Sequence, residues 1–213
     1  MKKVFLLTIA LLGAATTFAQ TISYGFKAGV NFSEISASVQ NITATSKSLT
    51  GFHVGGIVDF GFKSFSIQPG ILYTTKGGSS SDVTADGGTG ANASKITLNY
   101  LEIPINFLYH APTRKGSVFI GGGPYVGVGL SGSAPLVDEN GQPTGQKQSV
   151  HFGSTADDIG NPDIGINLLG GYQFTNKMFL SAGYGFGLAN LSNEIIARIH
   201  NQGLSFSIGY FFK

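Results

Sequence analysis

The 213-residue sequence has no cysteine and no tryptophan, only two methionines, and 11% charged side chains, where a soluble protein carries about a quarter. The lack of cysteine excludes a disulfide framework and a lipoprotein-type attachment point. After the first twenty residues no apolar run approaches the ~20 residues that a membrane-crossing helix needs, so any passage through a bilayer must be made by strands. No basic run with interleaved aromatics occurs. Of the 13 Lys and Arg, Lys2 and Lys3 lie in the first segment, which leaves 11 against 11 Asp and Glu. A neutral mature chain gives no support to nucleic-acid binding. The four histidines, His53, His110, His151 and His200, show no metal-ligand spacing, and no serine stands beside His53 in a nucleophile motif. Gly121-Gly122-Gly123-Pro124 lacks the helix that a phosphate cradle requires.

What is abundant is glycine and aromatic residues, with 32 Gly, 17 Phe and 8 Tyr. Residues 1–19 read as a cleaved export signal: a basic start at Lys2 and Lys3, an apolar stretch from Val4 to Leu12, and Thr17-Phe18-Ala19 before Gln20. Residues 20–213 then suit one domain. Its pattern is two-residue alternation. In the final segment Leu204, Phe206, Ile208, Tyr210 and Phe212 share one face, opposite small or polar residues.

The same alternation recurs upstream, giving eight strands: Ser23–Ser33, Gly51–Phe60, Phe65–Lys76, Ser94–Tyr109, Ser117–Leu130, Asp163–Phe174, Met178–Ala189 and Gly203–Lys213. Pro69 predicts a bulge or local distortion in the third. The fourth changes phase between Leu98 and Leu101, which predicts a bulge near Asn99 or Tyr100. The connections alternate. Glu34–Thr50, Gly77–Ala93, Ser131–Asn161 and Asn190–Gln202 read as long irregular loops, the last with one possible helical turn at Ile195, Ile196 and Ile199. The other connections are short turns. An even strand number, short turns at one end, long loops at the other and aromatics at strand ends fit an eight-stranded antiparallel up-and-down transmembrane β-barrel.

Eight of the eleven acids fall in the long connections, including Asp138, Glu139, Asp157 and Asp158. Their default reading is solvated loop charge, with divalent bridging to lipopolysaccharide as the sharper alternative. Lys27, His53, Asp59, Gln68, Lys76, Glu102, Asn106, Asp163 and Asn167 fall on the face opposite the apolar one. They are expected to form a polar network in the lumen, with Lys27 and Lys76 pairing Asp59 and Glu102, and Lys27 the first choice for Glu102. Glycine on the inner face leaves room for larger side chains from neighbouring strands. Neither a catalytic group, a metal nor a cofactor is expected.

Two resemblances follow from particular residues. The closing segment with Phe206, Ile208, Tyr210 and Phe212 resembles the terminal assembly signal of bacterial outer-membrane barrels, which implies pairing of last strand with first and recognition by the barrel assembly machinery; Lys213 departs from the usual aromatic last residue. Gly25–Ser33, Ser66–Tyr73 with Lys76-Gly77, Tyr100-Leu101-Glu102-Ile103-Pro104, Gly122-Gly123-Pro124-Tyr125, and Gly183-Tyr184 before Gly187-Leu188 together resemble the small Gram-negative outer-membrane barrels to which PorT-like proteins belong. That resemblance implies a barrel in the cell outer membrane, in contact with lipid and lipopolysaccharide, with periplasmic termini and extracellular long loops. It implies an envelope structural, adhesion or secretion and assembly accessory role with a protein partner not specified. A narrow solute pore and, further off, a lipid-acting barrel enzyme are the alternatives.

Overall fold

The computed structural model describes residues 21–39, 42–79, 95–137, 143–153, 159–192 and 197–212. The export-signal segment 1–19 lies outside the described residues, as do Asp82, Asp86, Asp138, Glu139, Asp157, Asp158 and Glu194. The described chain forms ten strands: β1 (Thr21–Val39), β2 (Ile42–Thr45), β3 (Lys47–Phe62), β4 (Phe65–Ser79), β5 (Lys95–Thr113), β6 (Gly116–Val137), β7 (Pro143–Val150), β8 (Asp163–Phe174), β9 (Met178–Gly187) and β10 (Ala197–Phe211). Eight of them pair antiparallel in the closed order β1-β3-β4-β5-β6-β8-β9-β10, and β10 returns to β1 from Gly25↔Phe211 to Val39↔Ala197. The Phe212 N–H donates to the Tyr24 carbonyl at 2.7 Å beyond the last paired residue. Closure satisfies every edge, which is what a sheet in lipid requires.

Alternation sets the sidedness. Tyr24, Phe26, Val30 and Phe32 of β1 are exposed, as are Ile164, Ile166 and Leu168 of β8 and Leu204, Phe206, Ile208 and Phe212 at the C-terminal end. The inner parity carries Asn31, His53, Gln68, Glu102, Asn106 and Asp163, all buried. Such an apolar outside over a polar inside is the reverse of a water-soluble barrel.

Ladder pairing runs further than alternation does. β1 continues through the expected loop as far as Val39 and folds back on β2, and β6 continues to Val137 with β7 paired along Gly132–Val137. The expected irregular stretches at Glu34–Thr50 and Ser131–Asn161 are therefore partly strand. Beyond the apolar band both faces of a strand meet polar surroundings, so the side-chain period disappears while backbone hydrogen bonding, indifferent to sequence, goes on. Ile199 likewise belongs to β10 rather than to a helical turn; Ile195 and Ile196 lie outside the described residues.

At Asn99/Tyr100 the β5–β6 register does shift, and the extra residue is Leu130 on β6. β5 itself keeps its phase, so Leu98 and Tyr100 both point inward and are buried. Pro69 causes no register slip: the ladder is interrupted between Ile57↔Gly70 and Phe60↔Ile67 and resumes in step. Lacking a donor, proline removes bonds without forcing an extra residue into the strand. The three short turns contain Lys63-Ser64, Arg114-Lys115 and Thr175-Asn176-Lys177, with Lys63 and Lys177 in the left-handed region at φ 53° and 69°.

Candidate functional site

The lumen is filled in layers. Nearest the short turns, Ile57, Leu108, Phe119, Phe179 and Phe211 form an apolar plug, with Phe179 packed on Phe211 at 5.2 Å and on Phe119 at 6.4 Å between centroids. Its rings sit where neighbouring strands carry no side chain: a Cβ on Gly171 would stand 2.5 Å from the Phe119 ring, and one on Gly209 would overlap Phe179. Toward the long connections Leu49, Leu98 and Leu191 are buried, and Phe152 meets Tyr100 edge-on at 5.5 Å. Between these apolar ends lie two polar groups, and a third stands beside the plug.

One polar group is ionic. Lys76 Nζ stands 2.6 Å from Glu102 Oε2 and 3.2 Å from Asp163 Oδ2. The same ammonium lies 4.2 Å from the centroid of Tyr125, a cation–π distance. Asn201 Nδ2 donates to Asp163 Oδ2 at 3.2 Å and to the Tyr100 hydroxyl at 3.3 Å, and the Tyr125 hydroxyl donates to Asp163 Oδ1 at 3.4 Å. Gly127 pairs with Glu102 on one side and Asp163 on the other, so a residue without a side chain separates the two carboxylates. Gly165 gives Tyr125 its place, since a Cβ there would stand 2.5 Å from the ring.

A second group is built on His53. Its Nδ1 lies 2.7 Å from Asn31 Oδ1, while Asn31 Nδ2 donates to Thr74 Oγ1 at 2.8 Å and to the carbonyls of Phe52 and Thr75 at 3.2 Å each. Those three bonds fix the amide with its oxygen toward histidine, so Nδ1 carries the proton and Nε2 accepts from Ser207 Oγ at 2.8 Å. Serine, imidazole and amide thus stand in the order of an acyl-transfer relay. What such a relay also needs is a set of donors for the oxyanion. Ser207 sits in mid-ladder between Gly29 and Ser181, where the backbone serves the sheet.

A third group lies on the turn side. Asp59 Oδ1 accepts from Ser66 Oγ at 2.8 Å and Gln68 Nε2 at 3.2 Å, and Ser66 Oγ is 2.9 Å from His110 Nε2. With the serine proton given to Asp59, His110 Nε2 is the donor to Ser66.

The nine expected network residues therefore all face the lumen but divide among separate clusters. Lys76, Glu102 and Asp163 meet. His53 belongs with Asn31 and Ser207. Asp59 and Gln68 belong with Ser66 and His110. Asn106 and Asn167 line a cavity of about 90 Å³ shared with Lys27. Lys27 is not the partner of Glu102; that place is taken by Lys76, and Asp59 is held by neutral donors rather than by a lysine. Asn31, Thr74, Tyr100, Tyr125, Asn201 and Ser207 are network members beyond the nine. The inner parity of Asn31, Thr74, Tyr125 and Ser207 was available from the same alternation, whereas Tyr100 stood at the expected phase change and Asn201 in a stretch read as loop; only a three-dimensional fold brings all six to their partners.

No group of three or more His, Cys, Asp or Glu capable of holding a metal occurs among the described residues.

Among solved structures the chain is similar to Neisserial surface protein A, with 16% identity, 89% of this chain and 98% of that one covered, and a TM-score of 0.49. It is also similar to the attachment invasion locus protein Ail of Yersinia pestis, with 10% identity, 87% and 98% covered, and a TM-score of 0.37. Both scores are low, so the strand ring above stands on this chain's own pairing. No curated protein matches the sequence. Over residues 18–193, a span running from before β1 to beyond β9, the sequence matches the outer membrane protein beta-barrel domain; the chain belongs to that family and its place is the outer membrane.

Proposed function

We propose that the protein is a non-enzymatic outer-membrane barrel whose interior holds the wall together and whose work is done beyond the membrane, by the paired extensions of its long connections. The observation that carries this reading is the continuation of β1 through Val39 onto β2 and of β6 through Val137 onto β7. Ladder-bonded hairpins present fixed surfaces, and residues 144–149 of β7 are exposed. In this reading those hairpins are extracellular, while the short turns and both termini are periplasmic, as in other barrels of this class. The role is then structural in the envelope, adhesive, or an accessory one in secretion or assembly of the PorT-like kind. Lipid and lipopolysaccharide surround the apolar belt, and the barrel assembly machinery reads the Phe206–Phe212 strand.

The apolar plug and the Lys76–Glu102–Asp163 cluster favour this over a solute pore, because eight strands leave space only for side chains and here side chains occupy it. Crosslinking residues placed at Gln146 or Lys147 of β7, and separately at Arg114 or Lys115 of a short turn, test the reading in living cells. A partner captured from β7 is the expected result. Capture confined to the turn would move the work to the periplasm, and steady single-channel openings in a planar bilayer would replace the reading with a pore.

The Ser207–His53–Asn31 order favours a second reading, acyl transfer within the lumen. Covalent labelling of Ser207 by a small fluorophosphonate, lost in His53→Ala, would establish it. An unlabelled wild-type protein removes it.

A further inference from the structure

The short-turn end of the barrel carries charge of one sign. Lys63 lies in the β3–β4 turn, Arg114 and Lys115 in the β5–β6 turn and Lys177 in the β8–β9 turn, all four exposed. No Asp or Glu falls within residues 60–66, 110–117 or 174–178. The acid nearest to them in sequence, Asp59, is bound by Ser66 and Gln68. Among the described residues the four cations form no ion pair.

Backbone bonds fix these turns in place. The Ser64 carbonyl accepts from the His110 N–H at 2.7 Å, that of Lys115 from Thr175 at 3.3 Å and that of Lys177 from Phe211 at 3.1 Å, so each turn is tied to a neighbouring strand or turn. Their depth is fixed as well. Phe65 packs on Tyr109 at 5.2 Å and Tyr172 on Phe174 at 4.9 Å between centroids, with Phe65, Tyr109 and Phe174 exposed on the outer wall. Aromatic rings so placed mark the level of the lipid headgroups. Lys63 is two residues from Phe65 and Lys177 three from Phe174. Thr113, next to Arg114, shares a hydrogen bond of 2.9 Å with the Tyr172 hydroxyl. The cations therefore stand at or just beyond headgroup depth.

Their distribution decides what they meet. Along the closed order β1-β3-β4-β5-β6-β8-β9-β10 the basic turns occupy every second joint from β3 to β9. One protein partner covers one side of a rim, whereas charges spread around it meet what surrounds the barrel, which is lipid. We propose that the basic turns are a docking surface for anionic phospholipid headgroups, of the phosphatidylglycerol class, in the leaflet that the turns face. A phosphodiester with net negative charge offers charged acceptors to ammonium and guanidinium groups. A zwitterionic headgroup offsets its phosphate with a cation of its own. The charge complementarity stands on these residues alone; assigning it to the periplasmic leaflet rests on the orientation proposed above.

The probe is spin-labelled phosphatidylglycerol, set against spin-labelled phosphatidylcholine, in phosphatidylcholine vesicles holding the folded barrel at low salt. Electron spin resonance separates lipid slowed at the wall from lipid in the bulk and so gives the relative affinity. The wild type is expected to prefer phosphatidylglycerol, by up to about fivefold for a headgroup touching one cation. The other rim, whose connections hold eight of the eleven acids, is not expected to add to this. In the variant with Lys63→Asn, Arg114→Gln, Lys115→Gln and Lys177→Asn the preference is expected to fall to near parity; asparagine suits the left-handed backbone at 63 and 177. Sodium chloride at ~1 M, where charges are screened beyond about 3 Å, is expected to do the same to the wild type and decides the matter should the variant fail to fold. No preference in the wild type, or one that both the variant and salt leave intact, would overturn the proposal. Ser64→Cys with a membrane-impermeant maleimide tests the leaflet separately. Protection in intact cells, with labelling once the outer membrane is opened, is expected. Labelling in intact cells would overturn the periplasmic leaflet and the orientation with it, whatever the vesicles show.

Discussion

Lys76 reaches Glu102 on the diagonal. In the ladder Lys76 stands opposite Leu98, and Glu102 stands opposite Leu72, four residues earlier in β4. Four residues of strand span roughly 13 Å, and the two long side chains close that distance to a 2.6 Å contact across the inner face. Removing a single partner of a buried pair commonly costs about 3 to 5 kcal/mol. Lys76→Met leaves Glu102 and Asp163 facing each other with no cation, whereas Glu102→Gln leaves Lys76 still bound to Asp163. Urea unfolding of the detergent-folded barrel should therefore rank Lys76→Met as the more damaging, with Glu102→Gln partly restoring it. Simple addition of the two effects would show that the pair is not coupled. Lys27→Met combined with Glu102→Gln is expected to couple more weakly, because Lys27 shares a cavity with Glu102 but makes no ion-pair contact with it.

The inner glycines differ in what they protect. A Cβ on Gly127 would meet its nearest atoms at 3.5 Å, an ordinary contact, while one on Gly165 would enter the Tyr125 ring. Gly127→Ser is expected to assemble as wild type. Gly165→Ala should lose about 1 to 3 kcal/mol in the same unfolding measurement, the usual cost of overpacking. Equal behaviour of the two would mean that both the Tyr125 ring and the Phe186 carbonyl beside it can move aside.

Val126 and Ile166 belong to the exposed apolar belt on β6 and β8, at 39% and 42% of full exposure. An arginine facing lipid at mid-depth costs roughly 2 to 4 kcal/mol. Val126→Arg and Ile166→Arg should each reduce the amount of folded barrel recovered from outer membranes, read as the heat-modifiable band on a gel. Full recovery of both would contradict the lipid-facing assignment of these positions.

At the closing seam Phe212 lies 5.8 Å from Phe26 and 5.8 Å from Tyr210, joining the last strand to the first by ring contacts on the outside of the wall. The double change Tyr210→Ala and Phe212→Ala is expected to leave unfolded protein in the periplasm. Normal quantities of folded barrel would show that these rings do not direct assembly.

Which parts of this molecule could be read from sequence follows from where lipid touches it. Within the apolar band each residue must satisfy either lipid or lumen, so Phe26 against Lys27 or Ile103 against Glu102 declares its side. The turns at Lys63-Ser64 and Arg114-Lys115 were legible because alternation stops and restarts there. Past the band that pressure ends, and the Ser- and Thr-rich continuation of β1 looks like loop although it is laddered. Leu98 misleads for a related reason: it is apolar yet points inward, beneath the long connections, where the lumen is capped by hydrophobic packing. In the candidate site, inner parity was readable but partnership was not. Lys27 and Lys76 have the same parity and chemistry, and only the depth of each strand in the ring, together with the diagonal reach of a lysine, assigns Glu102 to one of them.

The ring is not equally fastened around its circumference. The seam where chain end meets chain beginning is ladder-bonded from Gly25↔Phe211 to Val39↔Ala197, whereas β9, at 10 residues the shortest strand of the eight, is held only along Gln202↔Phe186 to Tyr210↔Met178 and Gly165↔Gly187 to Gln173↔Phe179. Beyond Phe179, its inner face of Ser181, Gly183, Gly185 and Gly187 adds little packing to those bonds. Amide protons of β9 should thus exchange with solvent deuterium before those of the β1–β10 seam, because local opening begins where the fewest bonds must break together. The last joint to form in synthesis would then be among the last to give way, and the panel through which the wall breathes would be one that was complete before the ring closed.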